Sequence, residues 1–406
     1  MGNTTSYLEK FNKKIVILGG GIEGLIFANV LSNLFDVVFI DSKYNMKYLR
    51  DTLAYQLPEN LIQTYTLLLS SQNGHFKLIE CESIKSLDTE NKIELLNLKE
   101  ESTITLQYDY LIIGSVMKKQ NNTIQDGVIE SQQNSIVYQD LNDQQGILKL
   151  LPSKSNILIR GDCLVSAELI GDFLSFFQGK NFSYLLDKSS NLQDYELESL
   201  SVLHQNLRQR GLNFVESEEI SESEYDLVID CKKRLLDTEF LATNFSSCLD
   251  SKKHIKVQDT MQIELNLKNP KLNKMQNIFA FGESTSRLEK SKLISYDQII
   301  QQISVIFKNL IQLAQGQFPT SKIDTHQPFI YVITLGSEEG LVNIRGFSFI
   351  DPKAVSYKKQ LLRAHYQNLH QLKLQNTPST ISGKKRVVLA KAVQKLNYSL
   401  VNFIQS

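Results

Sequence analysis

Three glycines, Gly19, Gly21 and Gly24, stand at the spacing G-x-G-x-x-G directly after the apolar run Lys14-Ile15-Val16-Ile17-Leu18. In such a loop each glycine removes a side chain where something must come close. The first allows a tight turn, the second lets backbone approach a pyrophosphate, and the third lets helix and strand pack closely. The phosphates then rest on unpaired N–H groups at the positive end of the helix. Asp41 follows Gly19 by 22 positions, at the end of the next apolar run, Val37-Val38-Phe39-Ile40. A carboxylate there accepts two hydrogen bonds from the diol of an adenosine ribose. The glycines alone are a weak signal, shared with ordinary tight turns. Strand, loop, helix, strand and acid in this order point to dinucleotide binding.

The same order recurs once. Ile157-Leu158-Ile159 leads to Gly161, a helical stretch from Ser166 to Phe177, and the run Phe182 to Asp187. This second loop, Gly161-Asp162-Cys163-Leu164-Val165-Ser166, keeps one glycine of three. Cys163 puts a side chain where a pyrophosphate would approach, Ser166 adds bulk at the helix–strand contact, and Asp162 sets a repulsive charge near the phosphates. Glu168 and Asp187 remain as acids, and each reads as readily as solvated surface.

These loops need parallel strands beneath them. Continuous apolar runs of strand length mark strands buried on both faces, and Leu25 to Leu34 has helical spacing between two of them. Phe76–Ile79 and Ile104–Tyr108 read as antiparallel crossover strands. Tyr110-Leu111-Ile112-Ile113 returns to the first sheet, Leu227-Val228-Ile229-Asp230 closes the second, and Asn277 to Phe281 rejoins the first. The fold class is therefore α/β, with tandem Rossmann-type domains and the second inserted in the first. The expected division is residues 1–151 and 251–320 for the first domain, 152–250 for the insert, 321–375 for a small C-terminal α+β domain, and 376–406 for a helical tail. A helix is expected from about Tyr357 to Lys373.

Composition bounds the function. Lys plus Arg and Asp plus Glu number 44 each, so the net charge is zero and no global field draws nucleic acid to the chain. The four cysteines, Cys81, Cys163, Cys231 and Cys248, form no CxxC or CxxxxC pair, which argues against a zinc ribbon and against a flavin-linked redox disulfide. His365 and His370 are five apart, not on one helix face, so no metal site is indicated. No run of 18 apolar residues exists to form a membrane span.

Five places together carry a resemblance: Val16 to Gly24; Tyr108-Asp109-Tyr110-Leu111-Ile112; Ala167 to Asp172; Asn277-Ile278-Phe279-Ala280-Phe281-Gly282-Glu283; and Leu335-Gly336-Ser337-Glu338-Glu339-Gly340 with Arg345-Gly346-Phe347. In these the chain resembles the apoptosis-inducing-factor-like flavoproteins, above all their ferroptosis-suppressor branch, and more distantly type II NADH dehydrogenases. The resemblance implies FAD on the first loop, held by Gly19, Gly21, Gly24 and Asp41. It places Gly282 and Glu283 at the ribityl chain, where the family has aspartate. It also implies a hydride from NADH or NADPH, with Gly161 and Glu168 as the remnant of that nucleotide's site, and a quinone as acceptor.

The chain departs from that pattern at three points: the second loop, Gly114-Ser115-Val116 for the family's "ATG", and Cys231-Lys232-Lys233 for its "CTG". Lys232 and Lys233 could reach an NADPH phosphate or simply lie solvated. Two readings follow. One is an FAD-dependent NAD(P)H:quinone oxidoreductase with a variant nicotinamide site. The other is a catalytically inactive flavoprotein-fold subunit or scaffold of a larger assembly.

The ends add two expectations. Met1-Gly2-Asn3-Thr4-Thr5-Ser6 fits the myristoylation pattern at Gly2, and one such chain binds membranes only marginally. Leu389, Val393, Leu396, Leu400 and Phe403 make one stripe of a helix over 387–404, behind a basic first half. Such a helix suits packing on the chain's own body or on a protein partner better than docking on a membrane. The expected location is the cytoplasmic face of a membrane or the mitochondrion.

Overall fold

The computed structural model describes residues 10–42, 76–97, 102–116, 135–138, 150–186, 197–216, 221–231, 237–265, 276–286, 296–324 and 330–358, together with Ile147 and without Glu82, Asp162 and Arg345. Gly2, Asp187, Lys232, Lys233, most of the helix expected to start at Tyr357, and the stripe over 387–404 lie outside the described residues.

The first sheet contains β1 (Lys14–Leu18), β2 (Asp36–Ser42), β3 (Lys77–Cys81), β7 (Tyr110–Ile113) and β13 (Ile278–Ala280), all parallel, in the order β13-β7-β1-β2-β3. Ile15 to Leu18 are fully buried, as a central parallel strand covered on both faces requires. Helix α1 (Gly21–Leu31) crosses from β1 to β2. Beside this sheet lies an antiparallel meander of β4 (Ser83–Leu87), β5 (Lys92–Asn97) and β6 (Ser102–Gln107). The Ile104 segment is thus antiparallel, as expected. Phe76–Ile79 is not: its strand pairs parallel with β2, Val38 opposite Lys77. An edge strand of a parallel sheet alternates much as a meander strand does, which explains the misreading.

The second sheet contains β8 (Ser135–Tyr138), β9 (Asn156–Gly161), β10 (Asn181–Leu186), β11 (Asn213–Glu216) and β12 (Leu227–Cys231), again all parallel, in the order β11-β10-β9-β12-β8. Helix α2 (Cys163–Phe176) follows β9 and α3 (Leu197–Gln209) follows β10. The insert's limits differ from those expected at residues 152 and 250. β8 already belongs to the second sheet, while Phe240, Leu241, Phe245 and Cys248 lie in the first core. The chain leaves the first domain after Val116 and is back by Asp237, whose N–H donates to the Val116 carbonyl at 2.8 Å.

After helix α4 (Tyr296–Ala314) the chain forms the antiparallel sheet β14 (Ile330–Thr334), β15 (Gly340–Ile344) and β16 (Phe347–Asp351). The sequence suggests a separate third domain. Instead Ile333, Leu335 and Leu341 share one hydrophobic core with Ile159, Phe173 and Leu203 of the second domain. The contact is backbone on backbone: a Cβ on Gly171 of α2 would lie 2.4 Å from Leu335 Cα. Arg210 clamps it, donating to the Leu335 carbonyl (2.7 Å), the Gly171 carbonyl (3.0 Å) and Ser175 Oγ (2.9 Å). Among the described residues no helix is long and apolar enough to cross a membrane.

Two predictions follow from this packing. Gly171→Ala should destabilise the chain by about 1–3 kcal/mol through overpacking against Leu335, read from urea midpoints; an unchanged midpoint would mean that the sheet does not sit on α2. The second concerns Asp109, which accepts the Lys14 N–H (2.8 Å) and pairs with Lys13 (2.9 Å) at the start of β1. Burial works against its charge, but the Lys14 N–H and the Lys13 ammonium prevail and hold its carboxyl below the usual range. A lowered folded pKa contributes stability above the unfolded pKa and loses it as pH falls through the folded one. The stability gap between the native chain and Asp109→Asn should be complete at neutral pH and shrink as pH drops below the ordinary aspartate value of 3.8, measured by denaturant titration across pH.

Candidate functional site

In an open parallel sheet, ligands settle beyond the carboxyl ends of the strands where strand order reverses. The first sheet reverses between β1 and β7, and the glycine loop follows β1 there. Gly19, Gly20 and Gly21 all take positive φ, at 62°, 89° and 60°, a region L side chains avoid. The loop is pinned on both sides: the Gly19 N–H donates to Ile40 of β2 at 2.8 Å, and the Gly20 N–H to Ser115 beyond β7 at 3.1 Å. A Cβ on Gly24 would lie 2.2 Å from the Gly19 carbonyl oxygen, so the third glycine lets α1 start against the loop. Gly20 caps α1 without a side-chain hydrogen bond. The first turn of α1 therefore starts with no side-chain cap from Gly20, as an anion cradle requires.

Asp41 comes one residue after the carbonyl that holds Gly19, at the carboxyl end of β2, and is only 2% exposed. Gly282 and Glu283 follow β13, two strands from β1 on the other side. Gly282 is buried with φ of 79°, and a Cβ on it would lie 3.1 Å from Ser115 Oγ; Glu283 is exposed. The structure thus brings Gly19, Gly21, Gly24, Asp41, Gly282 and Glu283 to one edge of one sheet.

In the sequence Gly114-Ser115-Val116 stands only as a departure from the family pattern. Here it closes the crevice. A Cβ on Gly114 would lie 2.5 Å from Gly20 Cα, and Val116 Cγ2 would lie 2.9 Å from a Cβ on Gly19. Phe281 lies against Gly20 in the same way, its Cζ 2.6 Å from where a Cβ would be. Gln302 of α4, 3% exposed, accepts the Gly282 N–H at 2.8 Å. A polar residue on the apolar stripe of Ile299, Ile303 and Ile306 was the available signal.

The second sheet reverses between β9 and β12, at Gly161. Gly161 has φ of 113°, and a Cβ there would collide with the Cys231 carbonyl at 1.9 Å. This one glycine is needed by the fold itself. Ser166, in the third glycine's place, is fully buried, and the Tyr184 hydroxyl donates to the Gly161 carbonyl at 2.9 Å. Arg160, just before the loop, pairs with Asp230 and Glu222; its hydrogen bond to Asp230 raises its pKa against the effect of burial. Glu168 stands apart from the loop. Its Oε1 accepts the Thr334 N–H (3.0 Å) and hydroxyl (3.1 Å) and pairs with Lys358, tying α2 to the C-terminal sheet. Among the described residues no group of three metal-binding side chains gathers.

A family profile described as pyridine nucleotide-disulphide oxidoreductase matches residues 13–305. The chain belongs to this family. Its members are flavoprotein NAD(P)H oxidoreductases, and the paired parallel sheets are their fold. No curated protein sequence matches the chain significantly. Among solved structures it is similar to NDH2 from Plasmodium falciparum in complex with NADH, at 14% identity and a TM-score of 0.54, over 90% of this chain and 99% of that one. It is similar also to a water-forming NADH oxidase from Lactobacillus brevis bound to NADH, at 15% identity and a TM-score of 0.55, over 82% and 75%. A NAD-dependent persulfide reductase from A. fulgidus gives 15% identity and a TM-score of 0.56, over 82% and 64%. At such identities the likeness is one of fold.

Gly24→Val tests the cradle without removing a polar group. The fold should survive with reduced stability, because the branched side chain must push α1 off the Gly19 carbonyl, and binding of an adenine dinucleotide should fall at least about tenfold. Isothermal titration of the purified variant measures this, and undiminished affinity would mean that the loop is only a turn.

Proposed function

We propose that this chain is an FAD-dependent NAD(P)H oxidoreductase that passes its electrons to a quinone. The observation that carries the reading is the backbone cradle at Gly19 to Gly24, set at the reversal point of the first sheet with buried Asp41 beside it. The first-turn N–H groups of α1 would hold the pyrophosphate, Asp41 the adenosine ribose, and Glu283 the polyol chain. FAD, when bound, supplies hydride acceptance and electron donation; the chain supplies position and charge. The nucleotide donor belongs at the second reversal point, before α2.

The choice of acceptor rests on the cysteines. The sequence holds no closely spaced pair, and Cys81, Cys231 and Cys248 are buried and outside any disulfide. Burial drives the Cys248 pKa up to about 12, so it carries no thiolate at neutral pH. Electrons leaving the flavin therefore go to a small acceptor outside the protein rather than to a disulfide of its own. A quinone fits the branch that the Leu335–Gly340 and Gly346–Phe347 segments resemble.

Purified chain should take up FAD and turn yellow, bleach under anaerobic conditions on adding NADH or NADPH, and recover its colour with a water-soluble ubiquinone analogue. Asp41→Ala should weaken FAD binding roughly ten- to hundredfold, the loss of charge-assisted hydrogen bonds to the ribose. A chain that binds FAD but stays yellow with both nucleotides would be the inactive scaffold instead.

A further inference from the structure

The turn after β13 needs something to hold it, because a residue with φ of 79° is not set by its own preferences alone. Most of its polar groups point inward. Ser284 Oγ donates to the Phe281 carbonyl (2.9 Å), Thr285 donates to the Gly282 carbonyl through both N–H (3.2 Å) and hydroxyl (2.9 Å), and the Ser284 carbonyl accepts the Ile255 N–H (2.7 Å). The Gly282 N–H donates to a side chain instead, Gln302 Oε1 of α4 at 2.8 Å. Gln302 sits among Ile299, Ile303 and Ile306, where an amide is costly unless it is hydrogen-bonded. Glu283, next in the chain, is left exposed at the carboxyl edge of the sheet.

We infer that Gln302 is a positioning residue for cofactor binding: by holding the Gly282 N–H inward it sets the turn that presents Glu283 toward the cradle. The inference rests on the FAD reading given above. α4 carries its own control. Asn309 is another buried amide on the same stripe, two turns along, donating to Thr260 (3.0 Å) and Ser321 (2.9 Å) and accepting the Ser321 N–H (2.9 Å). Both amides support the fold; only Gln302 touches the turn.

The experiment compares four purified chains for FAD dissociation constant, by quenching of flavin fluorescence, and for thermal midpoint. Gln302→Met keeps the shape but removes the acceptor; Gln302→Glu keeps an oxygen at the same reach; Asn309→Leu removes the control amide. Gln302→Met should bind FAD about tenfold more weakly, Gln302→Glu should restore most of that, and Asn309→Leu should lose thermal stability while binding FAD as the native chain does. If Gln302→Met binds FAD as well as the native chain, or if Asn309→Leu weakens FAD in the same proportion to its lost stability, the inference is overturned while the FAD reading stands. A native chain that takes up no FAD overturns both.

Discussion

Around the crevice between β1 and β7 the backbone is packed so closely that side chains have no room. The Gly24 helix start meets the Gly19 carbonyl, Gly114 meets Gly20, and the Ser115 carbonyl accepts the Gly20 N–H. Four glycines are therefore fixed by one constraint, the approach of three chain segments to within van der Waals contact. The direction of α1 follows, since it starts from a loop pinned to β2 on one side and to Ser115 on the other. So does the place of Asp41, which is one peptide from the Ile40 carbonyl that pins it. The cradle is thus a consequence of how the first core closes, with Phe281 and Val116 as its floor and wall.

The second loop shows what happens where the same contacts are not all required. Gly161 is kept because the Cys231 carbonyl occupies the space of its Cβ, and that is a demand of strand pairing between β9 and β12. Nothing in strand pairing demands glycine at Cys163 or Ser166. Meanwhile α2 has taken on a second task. Gly171 and Glu168 face the C-terminal sheet, and together with Arg210 they join it to the insert's core. That docking holds the helix at its middle, through Glu168 and Gly171.

Much of this was legible in the residues. Buried parallel strands announce themselves as apolar runs, and the seven read that way took their places in the two parallel sheets. The glycine loop and Asp41 were readable because dinucleotide binding fixes both residue type and spacing. The insert's limits were not, because the strand Ser135–Tyr138 is short and Phe240 to Cys248 form no regular run. Nor were the close contacts of Gly114 and Gly171, since a glycine in sequence does not say which distant segment needs the room. Glu168 read as a remnant of a nucleotide site because its helix position matched; its partners, Thr334 and Lys358, lie more than 160 residues on.

The two cores must cooperate if a hydride is to pass between ligands held by different sheets, and the structure shows where they are joined. Val116 and Asp237 bound the first domain on either side of the insert, and the Asp237 N–H donates to the Val116 carbonyl. Val116 also lies against Gly19. The two boundary residues of the first domain are accordingly tied to each other beside the glycine loop. A valine where the family has glycine stiffens that crossing, since its branched side chain restricts both its own torsion angles and the space above the loop. The departure from the family pattern is, in the fold, a side chain packed against the glycine loop.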